Sequence, residues 1–172
     1  MLIYLEMIDG PEERSQFEQV YYHYRGLMFY IANRILHNEQ DAEDAVHEAF
    51  VAIAENIKKI SDVKCHKTRS YIVTIVESKA IDLYRKKQRH PTGEIVEELE
   101  GVTVEYDGDD GLTRCILKLP ARYREIILLR YEQGFGNDEI ANMMDMSEPA
   151  VRKLLQRARD RLEELCREEG IL

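Results

Sequence analysis

No stretch of the sequence approaches the ~18 consecutive apolar residues that a membrane-spanning helix requires, and no basic segment followed by an apolar run stands near its start. Neither bilayer insertion nor export is expected, and the chain reads as soluble and cytoplasmic. Cysteine is sparse as well. Cys65, Cys115 and Cys166 lie fifty or more residues apart, which rules out a CxxC pair and supplies no even-numbered disulfide framework, so reduced thiols are expected. There is no HExxH, no phosphate-binding glycine loop and no nucleophile with a placed base. His23, His47 and His66 are scattered and form no ligand set, so neither metal nor cofactor is expected and the chain does not read as an enzyme. Strand-like alternation and internal repeats are also lacking.

What is present is charge, unevenly spread. With 172 residues, 44% of them hydrophobic, the chain has material for one ordinary domain or two small ones. A formal charge of −9 and a pI near 5.1 argue at first against a polyanionic partner, because Lys and Arg contacts to phosphate dominate nucleic-acid affinity. The distribution reverses that. Between Pro91 and Gly111 stand Glu94, Glu97, Glu98, Glu100, Glu105, Asp107, Asp109 and Asp110 with no Lys or Arg, so nearly all of the net charge belongs to one segment. Its self-repulsion, its glycines and its lack of periodicity suit a solvated linker. An all-α protein of two small helical domains is therefore expected, with residues 1–90 and 112–172 joined by an acidic linker over 91–111.

In the first domain, Pro11 with Glu12 and Glu13 forms a helix start. Phe17, Val20, Tyr21, Tyr24, Leu27, Met28, Ile31, Ala32 and Ile35 then follow the helical period. After a break at His37-Asn38, Ala42, Ala45, Val46, Ala49, Phe50, Ile53, Ala54 and Ile57 predict a second helix whose other face carries Asp41, Asp44 and Glu48. A third is expected from Thr68 or Arg69, burying Ile72, Ile75, Val76, Ala80 and Ile81 and ending in Arg85, Lys86, Lys87 and Arg89. Past the linker, Leu112 to Leu119 suggests a short helix. Another follows from Pro120 through Ile126, Ile127, Leu128 and Tyr131, closed by Gly134 and Gly136.

Asn137 to Arg161 has the spacing of a helix-turn-helix. Ile140, Met144, Met146, Val151 and Leu154 fall where two helices share a small core, and Ala141 permits a close crossing. The turn position usually held by glycine is Asp145, one of the few other residues that tolerate a left-handed conformation. Ser147 suits an N-cap and Pro149 the first turn of the next helix. In that helix Val151, Leu154, Leu155, Ala158, Leu162 and Leu165 should face inward, leaving Arg152, Lys153, Gln156 and Arg157 as an exposed stripe. Arg and Gln pair bidentately with guanine and adenine edges, so the stripe suits the DNA major groove; a merely solvated basic face is the plainer alternative.

With these elements placed, the chain from about Phe17 to Leu165 resembles a bacterial RNA polymerase sigma factor of the small, two-domain extracytoplasmic-function (ECF) type. Asp41 to Phe50 is similar to the family signature DAED-x-x-Q-E-x-F, with His47 in the place of the glutamine. The stretch from Tyr71 to Lys86 is similar to W-L-x-x-I-A-x-N-x-x-I-D-x-x-R, with Tyr71 for tryptophan and Ser78 for asparagine. The resemblance implies that Asp41, Asp44, His47, Glu48 and Phe50 dock on core polymerase, whose clamp on the largest subunit and flap are the expected contacts. It implies further that Tyr71, Ser78, Lys79, Arg85, Lys86 and Arg89 hold the promoter minus-10 element, and that Ser147, Arg152, Lys153, Gln156 and Arg157 read minus-35. It places the linker inside the polymerase and adds an anti-sigma factor as a partner. On the residues alone, Tyr71 and Tyr84 also suit core positions, and the acidic face also suits plain solvation. The alternative reading is a stand-alone helix-turn-helix regulator with an N-terminal dimerising or sensing domain.

Overall fold

Gly10 and Pro11 set the first boundary. A single helical turn, α1 (Leu2–Leu5), precedes them. Pro11 then lies in the first turn of α2 (Pro11–Leu36), where its missing N–H costs nothing and Glu12 and Glu13 complement the helix dipole. The computed structural model describes residues 1–88 and 111–172, and these contain helices and turns but no strand. α2 ends at His37, which adopts φ 51° and donates its N–H to the Asn33 carbonyl at 2.8 Å. Asn38 opens α3 (Glu39–Glu55) by accepting from the Asp41 amide at 3.0 Å. Ile57, expected at the end of that helix, is buried instead in a 3₁₀ turn, Ile57–Lys59.

The next helix, α4 (His66–Lys87), starts two or three residues earlier than the apolar pattern indicated. Side-chain chemistry supplies the reason. The Cys65 sulfur accepts from the Thr68 amide at 3.5 Å, and the Thr68 hydroxyl donates to the Asp62 carbonyl at 2.6 Å. The connecting loop is pinned below by Tyr24, whose hydroxyl donates to the Val63 carbonyl at 2.6 Å. Helices α2, α3 and α4 pack on one another, with Phe17, Val20, Met28, Ile31, Ile53, Ile72 and Val76 fully enclosed. Ala42, Ala45 and Ala49 are buried on α3, where a larger side chain would hold the neighbouring helices apart. Burying each large apolar side chain contributes about 1.5–3 kcal/mol. α4 also buries Thr74, Glu77 and Ser78, which marks it as the innermost helix of the three.

The chain divides into two compact units, Met1–Gly93 and Glu94–Leu172. In the second, α5 (Gly111–Lys118) leads through Leu119 and Pro120 to α6 (Ala121–Ile127), which continues as a π turn over Leu128–Glu132. That widened turn corrects one expectation. An i→i+5 bond from the Gln133 amide to the Leu128 carbonyl (2.9 Å) shifts the period, so Leu128 and Leu129 point inward and Tyr131 is 59% exposed. Gly134 turns with φ 78°, whereas Gly136 caps the start of α7 (Asn137–Met143), its amide donating to Glu139 at 2.8 Å. The last helix, α8 (Glu148–Glu168), packs on α5, α6 and α7 through Val151, Leu154, Leu155, Ala158, Leu165 and Cys166, with Leu162 half-buried. No helix among the described residues is long and apolar enough to cross a membrane.

Folding brings together two cysteines that are far apart in sequence. Cys115 on α5 and Cys166 on α8 are both buried and hydrogen-bonded to each other, and burial first, then Cys115, pushes the Cys166 thiol up. A thiol kept protonated and enclosed is a poor nucleophile. Iodoacetamide is therefore expected to modify only the half-exposed Cys65 of the native protein, with Cys115 and Cys166 labelled after denaturation. Peptide mass spectrometry checks this, and rapid native labelling of Cys166 would mean that α5 and α8 do not pack as described.

Candidate functional site

In the second unit the helix-turn-helix is formed by α7 and α8. Ile140, Ala141, Met144, Val151 and Leu154 are buried between them, as their spacing requires. Asp145 takes the left-handed turn at φ 50°, and Ser147 caps α8 by accepting from the Ala150 amide at 3.4 Å. The turn is braced from outside by Arg122, which contacts the Met146 sulfur at 3.4 Å. With one face of α8 buried, Arg152, Lys153, Gln156, Arg157 and Arg159 are all exposed. Arg152 makes an i,i+4 pair with Glu148 at 3.4 Å, and Gln156 lies between Asp160 (2.7 Å) and Arg159 (2.6 Å). Exposed pairs of this kind hold a side chain only weakly, so both can be redirected to a ligand.

The first unit presents two surfaces. On α3, Glu43, Asp44, His47 and Glu48 are exposed and form an acidic face with an imidazole in its midst. At the end of α4, Lys86 is exposed and Lys79, Tyr84 and Arg85 are half-buried, so cations gather where the helix dipole is negative. Several expected site residues lie elsewhere. Phe50 is 1% exposed and belongs to the domain's own aromatic core, 4.8 Å from the Tyr21 ring and 5.9 Å from Phe17. Asp41 is 9% exposed and paired with the exposed Lys87, which takes Asp41 off the open acidic stripe. Tyr71 is 2% exposed, with burial raising its phenol well above the ordinary value, so its ring offers no stacking platform in this conformation. Ser78, at 5%, is likewise inside. The physical reason is common to these positions on α4: it is enclosed over most of its circumference, which a one-face amphipathic reading understates. Arg89 and the acidic segment 91–110 lie outside the described residues.

One residue was missed entirely. Tyr4, on α1, hydrogen-bonds the exposed His47 through its hydroxyl and Nδ1 at 2.6 Å. A four-residue helix is too short to show a period, and its only signal is an aromatic among apolar neighbours.

A helix-turn-helix with an exposed basic face, in a chain whose other unit is a three-helix bundle bearing an acidic face and a basic helix end, is what a DNA-reading transcription protein with separate surfaces for other macromolecules requires. Residues 20–90 match the family described as Sigma-70 region 2, and residues 110–162 match Sigma-70, region 4. The chain belongs to the sigma-70 family of RNA polymerase sigma factors, in its ECF branch. It is 26% identical over 162 residues to the ECF RNA polymerase sigma factor SigW of Bacillus subtilis, covering 84% of this chain and 86% of that protein. It is 24% identical over 158 residues to the ECF RNA polymerase sigma factor SigM of Mycobacterium tuberculosis, covering 89% and 78% respectively. The RNA polymerase sigma factor SigV of Bacillus subtilis is 29% identical over 123 residues, 70% of this chain and 73% of that protein. The family binds core RNA polymerase and promoter DNA and directs initiation without catalysis of its own. The two regions in this order leave the stand-alone regulator with less support.

Proposed function

We propose that the chain divides promoter recognition between its two units, bounded at residues 1–90 and 112–172, with 91–111 as the acidic linker. The exposed face of α3, with Asp44, His47 and Glu48, docks on the clamp of the polymerase largest subunit, where acidic side chains steer encounter with a basic surface. Asp41 and Phe50 act behind that face, the first by pairing with Lys87 and the second by packing. Lys79, Arg85, Lys86 and Arg89 hold the separated minus-10 strand, with Tyr84 as the partly accessible aromatic; Tyr71 and Ser78 support α4 from inside. Ser147, Arg152, Lys153, Gln156 and Arg157 read the minus-35 duplex, while the second unit also contacts the polymerase flap. An anti-sigma factor covering the docking face is the expected regulator, and the work is done in the cytoplasm.

The observation that carries this reading is the face of α8. Four polar side chains suited to base edges are exposed in the first turns of a helix whose other face is buried. Each unit alone can supply few phosphate contacts, so the free protein is expected to bind promoter DNA weakly. Assembly on polymerase would present both units together and raise the effective concentration of the second contact. Electrophoretic mobility shifts with and without core enzyme test this; nanomolar binding by the free protein, with a symmetric footprint, would favour a dimeric regulator instead.

A further inference from the structure

We infer that Tyr4 is a positioning residue for polymerase docking: it fixes the His47 imidazole so that Nε2–H faces outward, in the place where the family signature carries a glutamine amide. The inference rests on the proposed docking role of α3. Tyr4 is buried and held by three rings, with centroids 5.5 Å from Phe17, 6.3 Å from Tyr21 and 5.7 Å from Phe50. Its segment is tied back a second time, since Ile8 is buried and its carbonyl accepts from Arg14 at 2.6 Å. The hydroxyl therefore has a fixed position, 2.6 Å from His47 Nδ1, and the two rings lie 5.3 Å apart.

The chemistry of that bond sets the tautomer. Burial first, and Tyr21 second, keep the Tyr4 phenol protonated, so it has a proton to donate. A neutral imidazole has one donor and one acceptor nitrogen, and a phenol is the stronger donor of the two groups while imidazole is the stronger base. Nδ1 accepts, and the ring proton stands on Nε2. His47 itself is exposed, so this N–H is presented to the surface at about the reach of a glutamine amide nitrogen. Without Tyr4 the ring would rotate and exchange tautomers, and a partner would have to order it on binding. Tyr4 lies outside the matched residues 20–90, so the arrangement couples a segment beyond the family region to a substituted position inside it.

The test is a double-mutant cycle on the full chain, reading affinity for core polymerase by fluorescence anisotropy. Tyr4→Phe keeps the ring and removes only the hydroxyl; His47→Gln supplies the amide directly. Tyr4→Phe is expected to weaken binding about 3–10-fold in the wild-type background, the size of one hydrogen bond's influence, and to have no further effect in the His47→Gln background. An equal loss in both backgrounds would make Tyr4 a packing residue and overturn the inference. So would wild-type affinity for Tyr4→Phe when His47→Ala is weakened. If His47→Ala binds as wild type, the docking role of this part of α3 fails, and the inference with it.

Discussion

Replacing Phe50 with alanine is expected to destabilise the first unit by about 3–5 kcal/mol, the range for deleting a large aromatic from a packed core. Phe50 is fully enclosed, with Tyr4 at 5.7 Å, Phe17 at 5.9 Å and Tyr21 at 4.8 Å between ring centroids. Aromatic pairs at such distances contribute about 0.5–1.5 kcal/mol each beyond the area they bury. A small domain has only about 5–15 kcal/mol in total, so the variant should be partly unfolded at moderate temperature. The opposite outcome is equally specific. Had Phe50 been an anchor reserved for polymerase, its ring would be exposed in the free chain, and truncation would cost affinity without stability. Urea unfolding of the isolated protein separates the two, and an unchanged midpoint would return Phe50 to the partner surface.

The same residue shows where the sequence was legible and where it was not. Apolar spacing located α2, α3, α4 and α8, because long helices repeat their buried face often enough for the period to show. It could not distinguish Phe50 as core from Phe50 as anchor, since both lie on the apolar side of α3 and differ only in what stands opposite. What stands opposite is a cluster of rings, Phe17 and Tyr21 from α2 and Tyr4, the last contributed by a helix of one turn. The resemblance gives Ser78 and Tyr71 roles at the surface, whereas both are enclosed, Tyr71 in the core position that its residue type alone also suits. The one-sided pattern expected of α4 omits the polar residues it buries, among them Thr74, whose hydroxyl donates to the Ser70 carbonyl at 2.8 Å. Asp41 illustrates a third limit: its pairing with Lys87 joins residues on two helices, and no spacing rule reveals a charge partner across a fold. The helix-turn-helix was read almost whole, down to the left-handed Asp145, because its turn, cap and core are set by neighbours in sequence.

On α8, Arg157→Ala is expected to lower promoter-directed transcription about 10–100-fold, as the loss of one bidentate base contact worth about 1–3 kcal/mol. Arg157 and Lys153 are exposed and carry no ion pair among the described residues, whereas Arg152 must first leave Glu148 and Gln156 must leave Asp160. A surface pair of that kind costs at most about 1 kcal/mol to break, so Arg152→Ala should show a smaller net loss than Arg157→Ala. None of these side chains is buried, so their truncation should change stability by no more than about 0.5 kcal/mol. Loss of a base contact and loss of a phosphate contact also leave different traces. The first relaxes preference at one minus-35 position, while the second weakens all sequences alike and reduces the salt dependence of binding. In vitro transcription by reconstituted holoenzyme over templates varied at minus-35, repeated at two salt concentrations, distinguishes them. Full activity of Arg157→Ala on every template would remove α8 from the minus-35 contact, leaving its basic stripe a solvated face.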